Sequence, residues 1–133
     1  MTRIVDTSVV LKWFVAEPDS DTAIGLTDQV LMAPDLLRAE LANALATKAR
    51  RGEILGEQAL AALAEVDVLI RFLPGMELAT RALELALELH HPAYDCFFLA
   101  LAEATDAVVV TADARFHRRC AASPYAQLVE LLA

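Results

Sequence analysis

Short β-branched and apolar runs alternate with helix-patterned segments along the whole chain, and that alternation leaves few folds open. The runs that favour extended backbone are Thr2–Val5, Val30–Ala33, Leu69–Leu73, Ala107–Thr111 and Gln127–Leu131. Strands separated by helices pair in parallel, because each connection has to cross back over the sheet. The pattern therefore predicts an α/β fold with a mostly parallel sheet of about five strands and about seven helices. The expected helices are Ser8–Val15, a second capped by Asp19 or Ser20 and running to Asp28, one opened by Pro34-Asp35 and continuing through Arg51, then Gly56–Val68, Glu77–His90, Pro92–Glu103 and Asp113–Ala121. Pro near a helix start and Gly52 just past the end of Arg51 fit the preferences of helix termini. In Gly56–Val68, Leu60, Leu63 and Ala64 form the expected apolar stripe. In Glu77–His90, Leu78, Leu85 and Leu89 lie on one side and Ala79, Ala82 and Ala86 on an adjacent one. That wide stripe reads first as a core face and second as a dimer face, since small residues let another helix come close.

Acidic residues stand where such a sheet would present them to a ligand. Asp6 directly follows the strand Arg3-Ile4-Val5, and Asp113 follows Val108-Val109-Val110-Thr111-Ala112. If these two strands are parallel neighbours, both aspartates emerge at the same edge, beyond the carboxyl ends of the strands where ligands bind in open α/β sheets. Glu40 and Asp95 lie inside apolar helical runs, where an unpaired charge is costly. Each has a plain structural alternative. Asp6 and Asp113 can cap the helices that follow them, and Asp95 can complement a helix dipole from the first turn. Glu40 can be an ordinary surface residue, although Arg38 is no partner for it, since i and i+2 do not face each other on a helix. Ser8 and Thr111 are either hydroxyls of the same site or a cap and a strand end. Taken together, four acids from four distant segments call for a cation. Carboxylates and water are the preferred ligands of Mg²⁺ and Mn²⁺, and such ions serve phosphoryl chemistry.

Other chemistries fit poorly. His90 and His91 are adjacent and His117 is alone, so no zinc pattern arises. Gly25, Gly52, Gly56 and Gly75 are too scattered for a phosphate loop, and no nucleophile elbow is present. The 133 residues fit one domain, 1–133. With 57% hydrophobic residues they can form a core without staples. No run of about 18 apolar residues could span a membrane, and the chain enters its first strand with a single Arg3, so no secretory signal is expected. Cys96 and Cys120 sit in apolar helical contexts and read as buried free thiols, which points to the cytoplasm. The net charge of −8 argues against a general nucleic-acid-binding surface. Half of that charge belongs to the four acids, however, and divalent cations bound there would invert the local field. Basic residues also cluster, as Lys48, Arg50 and Arg51 and again as Arg115, Arg118 and Arg119. The first cluster can equally complement a helix C-terminus.

With these residues in view, the chain resembles the PIN-domain family and, within it, the VapC-like toxins of bacterial toxin–antitoxin pairs. Val5-Asp6-Thr7-Ser8-Val9 is similar to the family's opening strand and first acid. Pro34 through Leu45, with Glu40 and then Asn43, resembles the second motif. Tyr94-Asp95-Cys96-Phe97-Phe98-Leu99-Ala100 resembles the third, and Thr111-Ala112-Asp113-Ala114-Arg115-Phe116 the fourth. The resemblance spans essentially the whole chain, in matching order and spacing. It implies a three-layer α/β/α sandwich with sheet order 3-2-1-4-5, which sets the first and fourth strands side by side. It also implies a homodimeric endoribonuclease toxin that uses Mg²⁺ or Mn²⁺, cuts structured RNA of the tRNA or rRNA class, and is held inactive by a cognate antitoxin. Asp6, Glu40, Asp95 and Asp113 would be the catalytic and metal-holding residues, Ser8 and Thr111 supporting hydroxyls, and Arg115 a contact to the RNA. Two alternatives stand beside this reading. A phosphatase of the haloacid-dehalogenase type also begins with an Asp after its first strand, but it needs a second Asp where Ser8 stands. A catalytically idle binding module could use the same scaffold, though the intact acids argue against it.

Overall fold

β-Branched residues crowd each other in helices and pack well on a pleated sheet, and the two inner strands that begin and close the site are built on them, Ile4-Val5 in the first and Val108-Val109-Val110-Thr111 in the fourth. A computed structural model describes residues 2–132. Its strands are β1 (Arg3–Val5), β2 (Leu31–Pro34), β3 (Arg71–Leu73), β4 (Val108–Thr111) and β5 (Val129–Leu131). Its helices are α1 (Thr7–Phe14), α2 (Ser20–Gly25), α3 (Leu36–Arg50), α4 (Gly56–Leu69), α5 (Ala79–Leu89), α6 (Ala93–Thr105) and α7 (Ala114–Ala121). The sheet order is β3-β2-β1-β4-β5, as expected, and every pair is parallel. β1 is central, with Ile4 opposite Met32 on one side and Val109 on the other.

Parallel crossovers are right-handed almost without exception, a rule that assigns α1–α4 to one face of the sheet and α5–α7 to the other. The chain steps one way from β1 to β3 through α1–α4, then returns past β1 and on to β5 through α5–α7. Packing of α1 on α3 and α3 on α4, and of α5 on α6, agrees with this division. Phe98 and Leu101 of α6 join Ile4, Val5, Val109 and the inner residues of α1 and α3 in one cluster. Leu85 and Leu89 of α5, Leu99 of α6 and Phe116 of α7 form a second cluster.

Several boundaries differ from the expected ones. Pro34 does not open α3; it ends β2 opposite Leu73, and the helix begins after Asp35. The bond to β3 at this point is made by the next residue, Asp35, whose N–H donates to Leu73 O at 2.9 Å, so it does not need the nitrogen of Pro34. The helices expected over Ser20–Asp28 and Glu77–His90 are each part 3₁₀, at Leu26–Asp28 and Met76–Leu78. The final strand is shorter than Gln127–Leu131, because Ala126–Leu128 forms another such turn. The stripe expected on α4 holds only in part: Leu63 packs against the core beside buried Ala62 and Val66, whereas Leu60 is 74% exposed and Ala64 is exposed too. On α5, by contrast, Ala82, Leu85 and Leu89 are buried as expected, while Leu83 and Leu87 face outward.

These burials make a direct comparison possible. Leu41→Ala, in the fully buried face of α3, is expected to cost about 2–5 kcal/mol in urea unfolding. Leu60→Ala should stay within about 0.5 kcal/mol of the parent. Equal costs would contradict the assignment of the α4 faces.

Candidate active site

The β1–β4 pairing determines where the first carboxylate goes. Asp6 donates its own N–H to Val110 O at 3.0 Å, which continues the β1–β4 ladder by one residue past Val5. It then caps α1, with Oδ1 accepting the Thr7 N–H at 2.8 Å. The other oxygen, Oδ2, accepts from Ser8 Oγ at 2.8 Å and from Thr111 Oγ1 at 2.7 Å. The two hydroxyls are themselves held by backbone: Ala112 N–H donates to Ser8 Oγ and Asp113 N–H to Thr111 Oγ1, both at 3.0 Å. Each hydroxyl thus takes a backbone proton from the turn after β4 and gives its own to Asp6. Both supporting hydroxyls named from the sequence therefore lie at the site. Asp6 is also a helix cap, so the structural and functional readings of that residue are compatible.

The other three acids approach from different elements. Glu40, one turn and a half into α3, accepts from Thr7 Oγ1 at 2.7 Å. Arg38 turns away from it to make a two-pronged pair with Asp67 of α4. Asp95 lies in the first turn of α6 with Oδ2 at 2.6 Å from His91 Nε2. Asp113 caps α7, Oδ1 accepting from the Arg115 and Phe116 N–H groups at 2.9 and 3.2 Å. Donor atoms of His91, Asp95 and Asp113 all lie within 4.8 Å of one another. Asp6 and Glu40 stand outside this tightest group but are near enough for the charge of Asp95 to act on both.

The crowding is visible in the protonation of the group. Burial above all, then the charge of Asp95, raises the Asp6 carboxyl to about 6, against the pull of its three hydrogen-bond donors. Glu40 is raised to about 7, chiefly by burial; its bond from Thr7 opposes the shift, and the charges of Asp6 and Asp95 add to it. Asp95 is raised by burial and by Asp113, with His91 pulling it back. No Lys or Arg side chain is paired with any of the four acids among the described residues. Oxygen donors without a protein cation are the donor set of a hard divalent ion, so the residues present fit Mg²⁺ or Mn²⁺.

His91 was not among the residues singled out from the sequence. Judged as a neighbour of His90 it has no ligand spacing. The signal lay in the other direction, since His91 and Asp95 are four residues apart. Arg115, expected at the RNA, is exposed on α7. With Arg118, Arg119 and His90 it lines a cleft of about 580 Å³ between α7 and the end of α5. None of these three arginines has an acidic partner among the described residues, although the chain carries 19 acids.

The PIN domain model matches residues 3–122, and the chain belongs to the PIN-domain family. Among curated proteins no sequence relative is found. Similar solved structures include that of PAE2754 from Pyrobaculum aerophilum, with 24% identity and a TM-score of 0.72 over 99% of this chain and 92% of that one. VapBC2 from Rickettsia felis, bound to a DNA fragment from its promoter, aligns over 100% of both chains with 18% identity and a TM-score of 0.72. VapC20 from Mycobacterium tuberculosis, described as a toxin that cleaves the sarcin-ricin loop, has 20% identity and a TM-score of 0.65 over 87% of this chain and 92% of that one. At these identities the three structures speak for the fold.

The raised carboxyls make stability depend on pH with a definite sign. In the folded protein Glu40 titrates at about 7 rather than 4.5, and Asp6 at about 6 rather than 3.8. Between those values the folded state holds protons that the unfolded chain has released. Their contribution is therefore full below about pH 4 and is lost as pH rises through 6 to 7. Glu40→Gln keeps an acceptor for Thr7 and cannot ionise. With EDTA present its melting temperature should exceed the parent's at pH 7.5 by a few degrees, and the difference should vanish near pH 4.5. A difference that does not change with pH would contradict the origin given for the shift.

Proposed function

We propose that this PIN-domain protein is a metal-dependent endoribonuclease toxin of the VapC type. Asp6, Glu40, Asp95 and Asp113 would hold one or two Mg²⁺ or Mn²⁺ ions. The observation that carries the reading is the convergence of these acids, from four separate segments, at one sheet edge with no lysine or arginine paired to them among the described residues. An ion bound there supplies positive charge to a phosphodiester and lowers the pKa of a water molecule.

The chain's own residues do the rest. Asp6 is locked by three donors and so offers a fixed ligand. Glu40 and Asp95 hold protons more tightly than free carboxylic acids and give them up when a cation arrives. Glu40, with its carboxyl near neutrality, is also suited to take a proton from an attacking water. Arg115, with Arg118 and Arg119 beyond it, is placed to pair with phosphates of the strand flanking the scissile bond. Phosphate contacts of this kind position a strand and carry no sequence information. On the other side of Glu40 a hollow is lined by Leu36, Ala39, Asn43 and the exposed ring of Tyr94. Such a ring can stack a base from a single-stranded loop, which supports a structured RNA of the tRNA or rRNA class as substrate.

Two apolar surfaces support the proposed assembly. Leu83 and Leu87 of α5, with Met76 of the 3₁₀ turn before it, are exposed, an apolar surface suited to a two-fold homodimer. Between α3 and α4, Leu45, Ala46, Ala49, Leu60 and Leu63 line an almost wholly apolar groove, into which an amphipathic helix of a cognate antitoxin would fit. No described helix is long and apolar enough to cross a membrane. With two free, buried cysteines, the cytoplasm is the proposed location.

Purified protein should cut a structured RNA with Mn²⁺ present and not with EDTA. Asp6→Asn should reduce cleavage by about 10²–10³-fold while the fold survives. Arg115→Ala should weaken RNA binding and leave Mn²⁺ affinity unchanged. Full activity of Asp6→Asn, in a preparation free of contaminating nuclease, would overturn the reading.

A further inference from the structure

Asp95 sits three positions into α6, where a carboxylate commonly reaches back to the backbone N–H of the cap residue. Here the cap is Pro92, which has no N–H. The donor that Asp95 finds instead is the His91 side chain, Nε2 to Oδ2 at 2.6 Å. Unlike its neighbour His90, which is exposed and turns the chain with a φ of 51°, His91 is 7% exposed. It is held from three sides. Its backbone N–H donates to Ala86 O of α5 at 3.1 Å. Its ring lies against Phe116 of α7, centroids 5.1 Å apart. Its Nε2 meets Asp95 of α6. The ring is fixed by packing, so the carboxylate has to follow it.

The second ring nitrogen decides between two roles. A histidine that ligates a metal through one nitrogen almost always donates the other N–H to an acceptor. Nδ1 of His91 is buried and has no hydrogen-bond partner. A bare lone pair at Nδ1 is cheaper to bury than an orphaned N–H. That assigns the hydrogen to Nε2, where it is spent on Asp95. We infer that His91 is a positioning residue: it fixes one oxygen of Asp95 and so sets the carboxylate against its acidic neighbours, where it can hold a divalent cation. Without that donor, the charges of Asp6 and Asp113 would favour Asp95 rotating out toward solvent.

The inference rests on the metal-dependent reading above, and the experiment separates the two. Mn²⁺ binding is measured by calorimetry on the full chain and on two variants. His91→Phe keeps a ring against Phe116 and removes the donor. His91→Gln places an amide N–H close to where Nε2 lies. Loss of an outer hydrogen-bond partner of a ligand commonly costs about 10–100-fold in metal affinity. We expect that loss in His91→Phe with the melting temperature in EDTA little changed, and recovery to within a few-fold of the parent in His91→Gln. Parent-like Mn²⁺ affinity in a folded His91→Phe overturns the inference, as does failure of a folded His91→Gln to recover. A parent that binds no Mn²⁺ overturns the metal reading instead. Nitrogen-15 spectra of the histidines in the unmutated chain, with and without Mg²⁺, test the bond whether or not the variants fold: Nε2 should carry the hydrogen in both. A hydrogen on Nδ1, or one lost from Nε2 when Mg²⁺ is added, contradicts the assignment.

Discussion

The bond from Thr111 to Asp6 joins the two ends of the chain, and the rest of the site depends on it. It exists because β1 and β4 are neighbours in register, Val5 opposite Val110, so the next residue of each strand emerges at the same level. Thr111 is wholly buried and Asp6 nearly so. A carboxylate in that position needs donors, and the hydroxyls of Thr111 and Ser8 provide them while accepting backbone N–H groups from the turn that leads to Asp113. The position of one acid therefore follows from that of another, through four bonds of ordinary length.

Stability and function pull in opposite directions here. A fold optimised for stability alone would not bring Glu40 and Asp95 toward Asp6, since burial and mutual repulsion raise all three carboxyls. The same three elements could bury apolar groups at that edge with less strain. Keeping the acids together without a lysine or arginine among them makes sense where a cation from solution completes the site. The arginines lie instead beside it on α7, without acidic partners among the described residues.

Most of the fold was legible because its signals are local and redundant. Val108-Val109-Val110 can hardly be anything but a buried strand, and the order of strands and helices leaves few topologies. The acids were legible because a charge directly after a buried strand, or inside an apolar helix, is energetically conspicuous. What escaped detection depended on tertiary context. Leu60 is a good core residue on any scale, yet the face of α4 that enters the core carries Ala62 and Val66, and Leu60 lies on the other side. Pro34 looked like a helix start because its role at the end of β2 depends on β3 lying alongside. His91 was missed because its significance rests on Phe116, which is 25 positions away in sequence, and on the lack of an N–H at Pro92.

Under the proposed function, crowded carboxylates hold protons that a divalent cation displaces. Calorimetry of Mn²⁺ binding at pH 6.5, repeated in buffers of different ionisation enthalpy, counts those protons directly. With Asp6 raised to about 6 and Glu40 to about 7, binding should release a substantial fraction of a proton or more, and the release should fall away by pH 8.5. Binding with no proton release at pH 6.5, or no binding at all, would contradict the account.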